Sequence, residues 1–288
     1  MKRTILIALL TMPLLARDPL PQRIAHMDAS KFRKAKAVHE GAGELHYMGL
    51  FDAQTFNTNF IFLHRGELQP GGGIGHHFHN HMEEMFVILD GEAQFTIDGR
   101  TSLLKGPAGA PCRMGHSHGI YNHTDKPVQW MNIAVGTIKG KYDATNLDDD
   151  RVGAPLDAKP VFITMKLDKA LLKQTDGFHG GGGAIRYRRA LLPEVFYTNW
   201  SYVDHVIVPP GGSTGGHRHE GVEEFYYVIG GKGKVKVGQE SAPVGKDDAV
   251  PVFLNEAHSF ENTGTEDLEM MVVGVARAKW AIDGVGVR

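Results

Sequence analysis

The chain has 288 residues, 42% of them hydrophobic, with 31 basic and 33 acidic side chains and a formal charge of -2. That length suits two domains of ordinary size, and the balanced charge excludes the basic footprint of a nucleic-acid binder. A single cysteine, Cys112, excludes an intrachain disulfide and any CxxC zinc motif.

The first segment, MKRTILIALLTMPLLARDPLPQ, places Lys2 and Arg3 before a mostly apolar run of 13 residues, Thr4 to Ala16. Such a run is too short to span a bilayer and suits the core of an export leader. A leader over 1–20, with Ala16 as a candidate cleavage position, implies a periplasmic or secreted protein; without it the chain would be cytoplasmic. No other stretch reads as transmembrane, so no membrane partner is expected once the leader is removed.

Short strands follow. FNTNFIFLHRGELQPGG combines aromatic and aliphatic residues with a Pro-Gly-Gly turn, and MFVILDGEAQFTIDGR reads as two strands around Asp90-Gly91 with a further turn at Asp98-Gly99. Between them lies GHHFHNHMEEMF, Gly75 to Phe86, with four histidines and two glutamates. A later histidine, His118, is flanked by Cys112, Arg113, His116 and Tyr121. Residues 141–178 then carry charge, three successive aspartates, glycine and prolines, which reads as an exposed linker. The aspartates lack the spacing of a calcium loop. Met165 to Gln174, MKLDKALLKQ, could form a short amphipathic helix.

The remainder repeats the beginning. GGHRHEGVEEFY, from Gly215 to Tyr226, places His217, His219 and Glu224 at an offset of 140 from His77, His79 and Glu84. The same offset joins His39 to His179, Tyr47 to Tyr187, Gly91 to Gly231, Pro111 to Pro251, His118 to His258 and Asn122 to Asn262. So many matches on one diagonal mark an internal duplication over about 39–135 and 179–275, each copy long enough to be a domain. The expected organisation is an N-terminal barrel over 21–140, a linker over 141–178 and a C-terminal barrel over 179–288. Dense short strands, 36 glycines and little helical periodicity make each copy an antiparallel β-barrel or jelly roll.

In a strand, residues i and i+2 face one side. His77 and His79 can therefore converge on one ion; Glu84 returns to the same cavity after a turn or bulge, and His118 arrives from a later strand. His217, His219, Glu224 and His258 form the matching set. His81 shares the parity of His77 and His79, and His116 lies beside His118, so both are candidate acid–base residues. Arg186, Arg188 and Arg189 occur in one half only and read as a solvated face or as recognition of an anion.

The spacing Gly71-x5-His77-x-His79-x4-Glu84-x6-Gly91 resembles the first motif of the cupin family, and Gly211-x5-His217-x-His219-x4-Glu224-x6-Gly231 resembles it equally. The second cupin motif is matched at Pro111, Gly115, His118 and Asn122, and again at Pro251, His258 and Asn262, with Asn255 where glycine is usual. The resemblance implies a bicupin: an all-β chain of two tandem jelly-roll barrels binding up to two divalent ions of iron, manganese, nickel, copper or zinc. It does not choose a reaction, since cupins span many activities. Three imidazoles and one carboxylate on an octahedral ion leave two open positions, which favours dioxygenase-type chemistry on a small organic substrate. The alternatives are a non-redox isomerase or decarboxylase acting on a sugar acid or small carboxylate, and a non-catalytic metal-stabilised binding or storage protein. A homodimer is compatible with each reading.

Overall fold

The computed structural model describes residues 17–287. The leader expected over 1–20 lies outside the described residues except for its last four, and Leu20 among these is fully buried. The described residues form two jelly-roll barrels, each built from a seven-stranded and a five-stranded antiparallel sheet. In the first barrel the larger sheet runs Met165–Lys166, Ala108–Cys112, Met82–Asp90, Val128–Gly136, Phe60–Leu68, Glu44–Phe51, Arg33–Lys36. The smaller runs Thr145–Asn146, Gly73–Phe78, Ser117–Tyr121, Glu92–Ile97, Arg100–Lys105. The second barrel repeats this order.

The central strands are buried on both faces. On Met82–Asp90, Phe86 and Ile88 point into the barrel core, whereas Met85 and Val87 join a cluster shared by both barrels. Phe225 and Tyr227 reach the same shared cluster from the second barrel, and Tyr226 and Val228 line that barrel's own core. The period of two thus gives each strand one face for its own barrel and one for its partner, which explains its near-continuous apolar run. Arg65, buried in this seam, donates through Nε to the Tyr227 hydroxyl at 2.9 Å.

The two halves also exchange strands. Ala25–His26 pairs with Asp248–Val252 of the second barrel, and Leu20 and Ile24 pack into that barrel's core. Met165–Lys166 reciprocally pairs with Ala108–Cys112 of the first. The first residues of the region expected as the N-terminal barrel therefore pack on the other barrel. The 141–178 segment supplies two strands to the first barrel, at Thr145–Asn146 and Met165–Lys166. The helix expected over Met165 to Gln174 is replaced by a single 3-10 turn, Lys169–Leu171, between two strands. Met165 and Leu167 are both buried while Lys166 is exposed, a two-residue period that fits pairing with the sheet. Asp168 caps the turn by accepting from the Ala170 amide at 2.9 Å.

Two buried carboxylates fasten the barrels reciprocally. Glu83 accepts from the Tyr197 and Thr198 amides, each at 2.8 Å, and from the Thr198 hydroxyl at 2.6 Å. Glu223 accepts from the Asn57 amide at 2.7 Å and the Thr58 amide at 2.8 Å. Removing one strands buried donors in the opposite half, so Glu83→Ala should lower stability by about 2–4 kcal/mol. Glu83→Gln should lose less, because its amide oxygen still accepts. Urea unfolding of both variants checks this; equal losses would show that charge rather than hydrogen bonding carries the contribution.

Candidate metal centres

The first centre lies between the two sheets of the first barrel. His77 is directly opposite His118 in the smaller sheet, and Glu84 projects from the larger one, opposite Ala134. His79 follows the end of the Gly73–Phe78 strand. All four side chains are buried, and one donor atom from each lies within 4.8 Å of the others. His79 Nε2 is 3.2 Å from His118 Nε2 and 3.8 Å from Glu84 Oε1; His118 Nε2 is 3.6 Å from Glu84 Oε2.

Backbone carbonyls set the tautomers. His77 Nδ1 donates to the Gly75 carbonyl at 2.8 Å, and His79 Nδ1 donates to the Asp143 carbonyl. Each Nε2 is then a lone pair directed inward. Burial, with His39 and His79 nearby, pushes His77 down to about 2, and burial likewise holds His118 well below the usual imidazole range. Burial thus favours the neutral form of His77 and His118, the form in which imidazole ligates a metal. His77 Nε2 is buried without a hydrogen-bond partner. Such an orphan is costly in a protein interior, and an ion held by the four donors would satisfy it.

The shared His39 and His179 have a structural part. Each ring stacks on the first ligand of its centre, His39 on His77 at 3.9 Å and His179 on His217 at 3.8 Å between centroids. Their carbonyl oxygens approach Gly75 and Gly215 so closely that an added Cβ would meet them at 2.0 and 1.8 Å, so only glycine fits. His39 also contacts the Tyr142 hydroxyl through Nε2 and the Asn146 side chain through Nδ1, both at 2.8 Å.

A cavity of about 290 Å³ opens onto Glu84, walled by Val38, Leu45, Tyr47, Phe62, Trp130 and Tyr142. Its polar lining includes His39, His64 and Asn132, and Asn132 Nδ2 donates to Glu84 Oε2 at 3.0 Å. Burial, with Arg33 nearby, lowers His64 to about 4, so it is neutral at physiological pH. Among the described residues the wall has no lysine or arginine.

The second centre repeats the ligands in a different setting. His219 Nε2 and His258 Nε2 lie 3.2 and 3.1 Å from Glu224 Oε2. Burial disfavours the His219 cation, but Glu224 and Asp283 outweigh it and raise the ring to about 9. Tyr202 donates to Glu224 Oε1 at 2.7 Å, and the Tyr226 hydroxyl lies 3.1 Å from Glu224 Oε2 and 2.9 Å from His258 Nε2. At the corresponding positions the first barrel has Phe62 and Phe86. The second cavity measures about 150 Å³. Arg189 lines it but is paired with Asp204 at 2.9 Å; Arg186 pairs with Asp267, and Arg188 donates to the Lys166 carbonyl at 2.9 Å.

Neither acid–base candidate lines these cavities. The strand bearing His77 ends at Phe78, so the parity that would direct His81 inward is broken; its backbone N–H donates to Asp143 Oδ1 at 3.1 Å. His116 bonds Asp98 at 2.6 Å and lines a separate surface cavity with Arg100 and Arg113. Cys112 is buried as a packed small residue.

Asp143 and Asp283 are functional positions that the sequence reading missed. Asp143 accepts from the Asn80 amide at 2.7 Å and Asp283 from the Gly221 amide at 2.7 Å, and each also holds the second histidine of its centre. The 140-residue offset relates them too. The signal was present, but in segments that read as linker and terminus.

A cupin-domain profile matches residues 64–134 and 204–274. The oxalate-binding protein of Thermotoga maritima is 32% identical over 101 residues, 35% of this chain and 84% of that protein. An uncharacterised Methanocaldococcus jannaschii protein is 29% identical over 109 residues, 38% of this chain and 86% of its own. Among solved structures, oxalate decarboxylase from Lactobacillus farciminis in a formate complex superposes with a TM-score of 0.62 at 16% identity, covering 91% of this chain and 88% of that one. The Bacillus subtilis oxalate decarboxylase at pH 4.6 gives 0.62 at 16%, covering 91% and 78%; that enzyme has Mn(II) centres. At such identity the likeness is one of fold. Two profile matches 140 residues apart, each enclosing a buried His3Glu cluster able to hold a divalent transition metal, make this chain a two-domain member of the cupin family.

Proposed function

We propose that the protein is a divalent-metal-dependent lyase that removes carbon dioxide from a small carboxylate, with the first centre as its working site. The observation that carries this reading is the first cavity itself: about 290 Å³ of space that reaches Glu84 of a buried His3Glu cluster, in a wall that among the described residues has no lysine or arginine. Three neutral imidazoles and one carboxylate leave a divalent ion with a net charge of about +1. That charge would be the cavity's attraction for an anion, and a volume at the lower end of ligand pockets suits a small one. The relative named for oxalate binding and the fold likeness to oxalate decarboxylases support a small carboxylate, with oxalate the first to try. The oxygen chemistry expected from the ligand set draws no support from these relatives.

His77, His79, Glu84 and His118 would hold the ion, which when bound supplies Lewis-acid polarisation of a carboxylate. Loss of carbon dioxide breaks a carbon–carbon bond and leaves the electron pair on the remaining carbon, which must take a proton. Tyr142 can deliver it. Its ring stands at the cavity mouth about half exposed, with its hydroxyl 2.8 Å from His39 Nε2. Burial, with Glu84 and Asp143 nearby, pushes the phenol up, so it keeps its proton until a strong base forms. The second half has Ile282 at that position. Asn132 fixes the orientation of Glu84, and the aromatic wall limits water.

A second reading is a carboxylate-binding protein without turnover, favoured by the name of the Thermotoga maritima relative. The manganese-loaded chain incubated with oxalate distinguishes the readings. Carbon dioxide should be released without stoichiometric dioxygen uptake; oxalate binding with no release would establish the binding reading, and one dioxygen per turnover would restore the oxygenase reading. Tyr142→Phe should lower kcat by about 10²–10³ with KM little changed. Chelation should abolish release and lower Tm, and added manganese should restore both; activity in metal-free protein would overturn the proposal.

A further inference from the structure

We infer that Tyr226 is a fifth protein donor at the second metal centre, which makes the two centres chemically unequal. Tyr226 lies two residues after the ligand Glu224 on the same strand, so both side chains face the barrel interior. Its hydroxyl oxygen, Glu224 Oε2 and His258 Nε2 form a triangle with edges of 2.9, 3.1 and 3.1 Å. Donors in adjacent positions of an octahedral ion, each about 2.1 Å from the metal, lie about 3.0 Å apart. The triangle therefore has the dimensions of one face of such a coordination shell. His258 Nδ1 donates to the Glu256 carbonyl at 3.2 Å, which leaves Nε2 as the lone pair, and the Tyr226 hydroxyl stands on that lone-pair side.

The neighbours support the assignment. Tyr202 engages Glu224 through the other carboxylate oxygen, Oε1, so Oε2 is left to face His219, His258 and Tyr226. The corresponding side chains in the first barrel, Phe62 and Phe86, have no oxygen to offer, and the donor separations involving Glu84 there are wider, at 3.6 and 3.8 Å. With five protein donors an octahedral ion keeps one open position at the second centre, against two at the first. The second cavity is the smaller, about 150 against 290 Å³, and Tyr226 lines it together with His217, His219 and Glu224. When Tyr226 ligates as a phenolate, its proton is released to solvent. The inference rests on the second His3Glu cluster holding an ion and is independent of which carboxylate the first centre takes.

Ferric iron is the probe, because phenolate bound to iron(III) gives a visible charge-transfer band that imidazole and carboxylate ligands do not. The full chain carrying His77→Ala and His79→Ala confines iron to the second centre. About one iron per chain with a visible band is expected, and resonance Raman excited in that band should show phenolate ring modes without any further variant. Adding Tyr226→Phe should remove the band while iron remains bound, Tyr202→Phe should leave it, and Phe86→Tyr in the otherwise native chain should strengthen it. Iron bound without a band, or a band that survives Tyr226→Phe, overturns the inference. A chain that takes up neither iron nor manganese overturns the metal-centre reading itself, a result separable by elemental analysis.

Discussion

One strand in each barrel carries two adjacent glutamates, and the two-residue period of extended backbone forces them to opposite faces. Glu84 turns inward to the metal centre, and Glu83 turns outward to grip amides of the other barrel. Glu224 and Glu223 do the same in reverse. Each metal centre is thus built on a strand whose other face is fastened to the opposite half. Burying a carboxylate is costly unless it is fully engaged, and all four are engaged, two by backbone amides and two by their histidine clusters with phenolic or amide donors.

The exchange of short strands extends this mutual dependence. Ala25–His26 completes the second barrel's larger sheet and Met165–Lys166 completes the first's. With the shared apolar seam around Phe60, Met85, Phe225 and Met271, neither half has an outer face of its own on the side that meets its partner. The two centres are therefore held in a common frame, and the differences between them come from single substitutions rather than from changes of fold. Phe62 against Tyr202, Phe86 against Tyr226, Asn132 against Val272 and Tyr142 against Ile282 convert one ligand geometry into two environments. The first is a larger cavity that reaches Glu84 past aromatic and aliphatic walls, and the second is crowded with phenols and an internal ion pair.

The sequence by itself determined the duplication, the all-β class and the eight metal ligands. Each depends on spacing along the chain: period-two alternation places HxH on one face, and a constant 140-residue offset exposes common ancestry of the halves. The acid–base candidates did not share this advantage. Strand parity points His81 inward only if the strand runs through Asn80, and it ends at Phe78; His116 adjoins His118 in sequence, but its ring faces Asp98.

Only the tertiary structure decided which distant segments complete the centres. Asp143 and Asp283 hold the second histidine of each set from chain that reads locally as linker or tail, and Tyr142 stands over the first cavity from the same stretch. It also decided that the short strand before each barrel belongs to the other one. These are contacts across more than sixty positions in sequence. No local period encodes them, because they arise from the closure of sheets around a shared core.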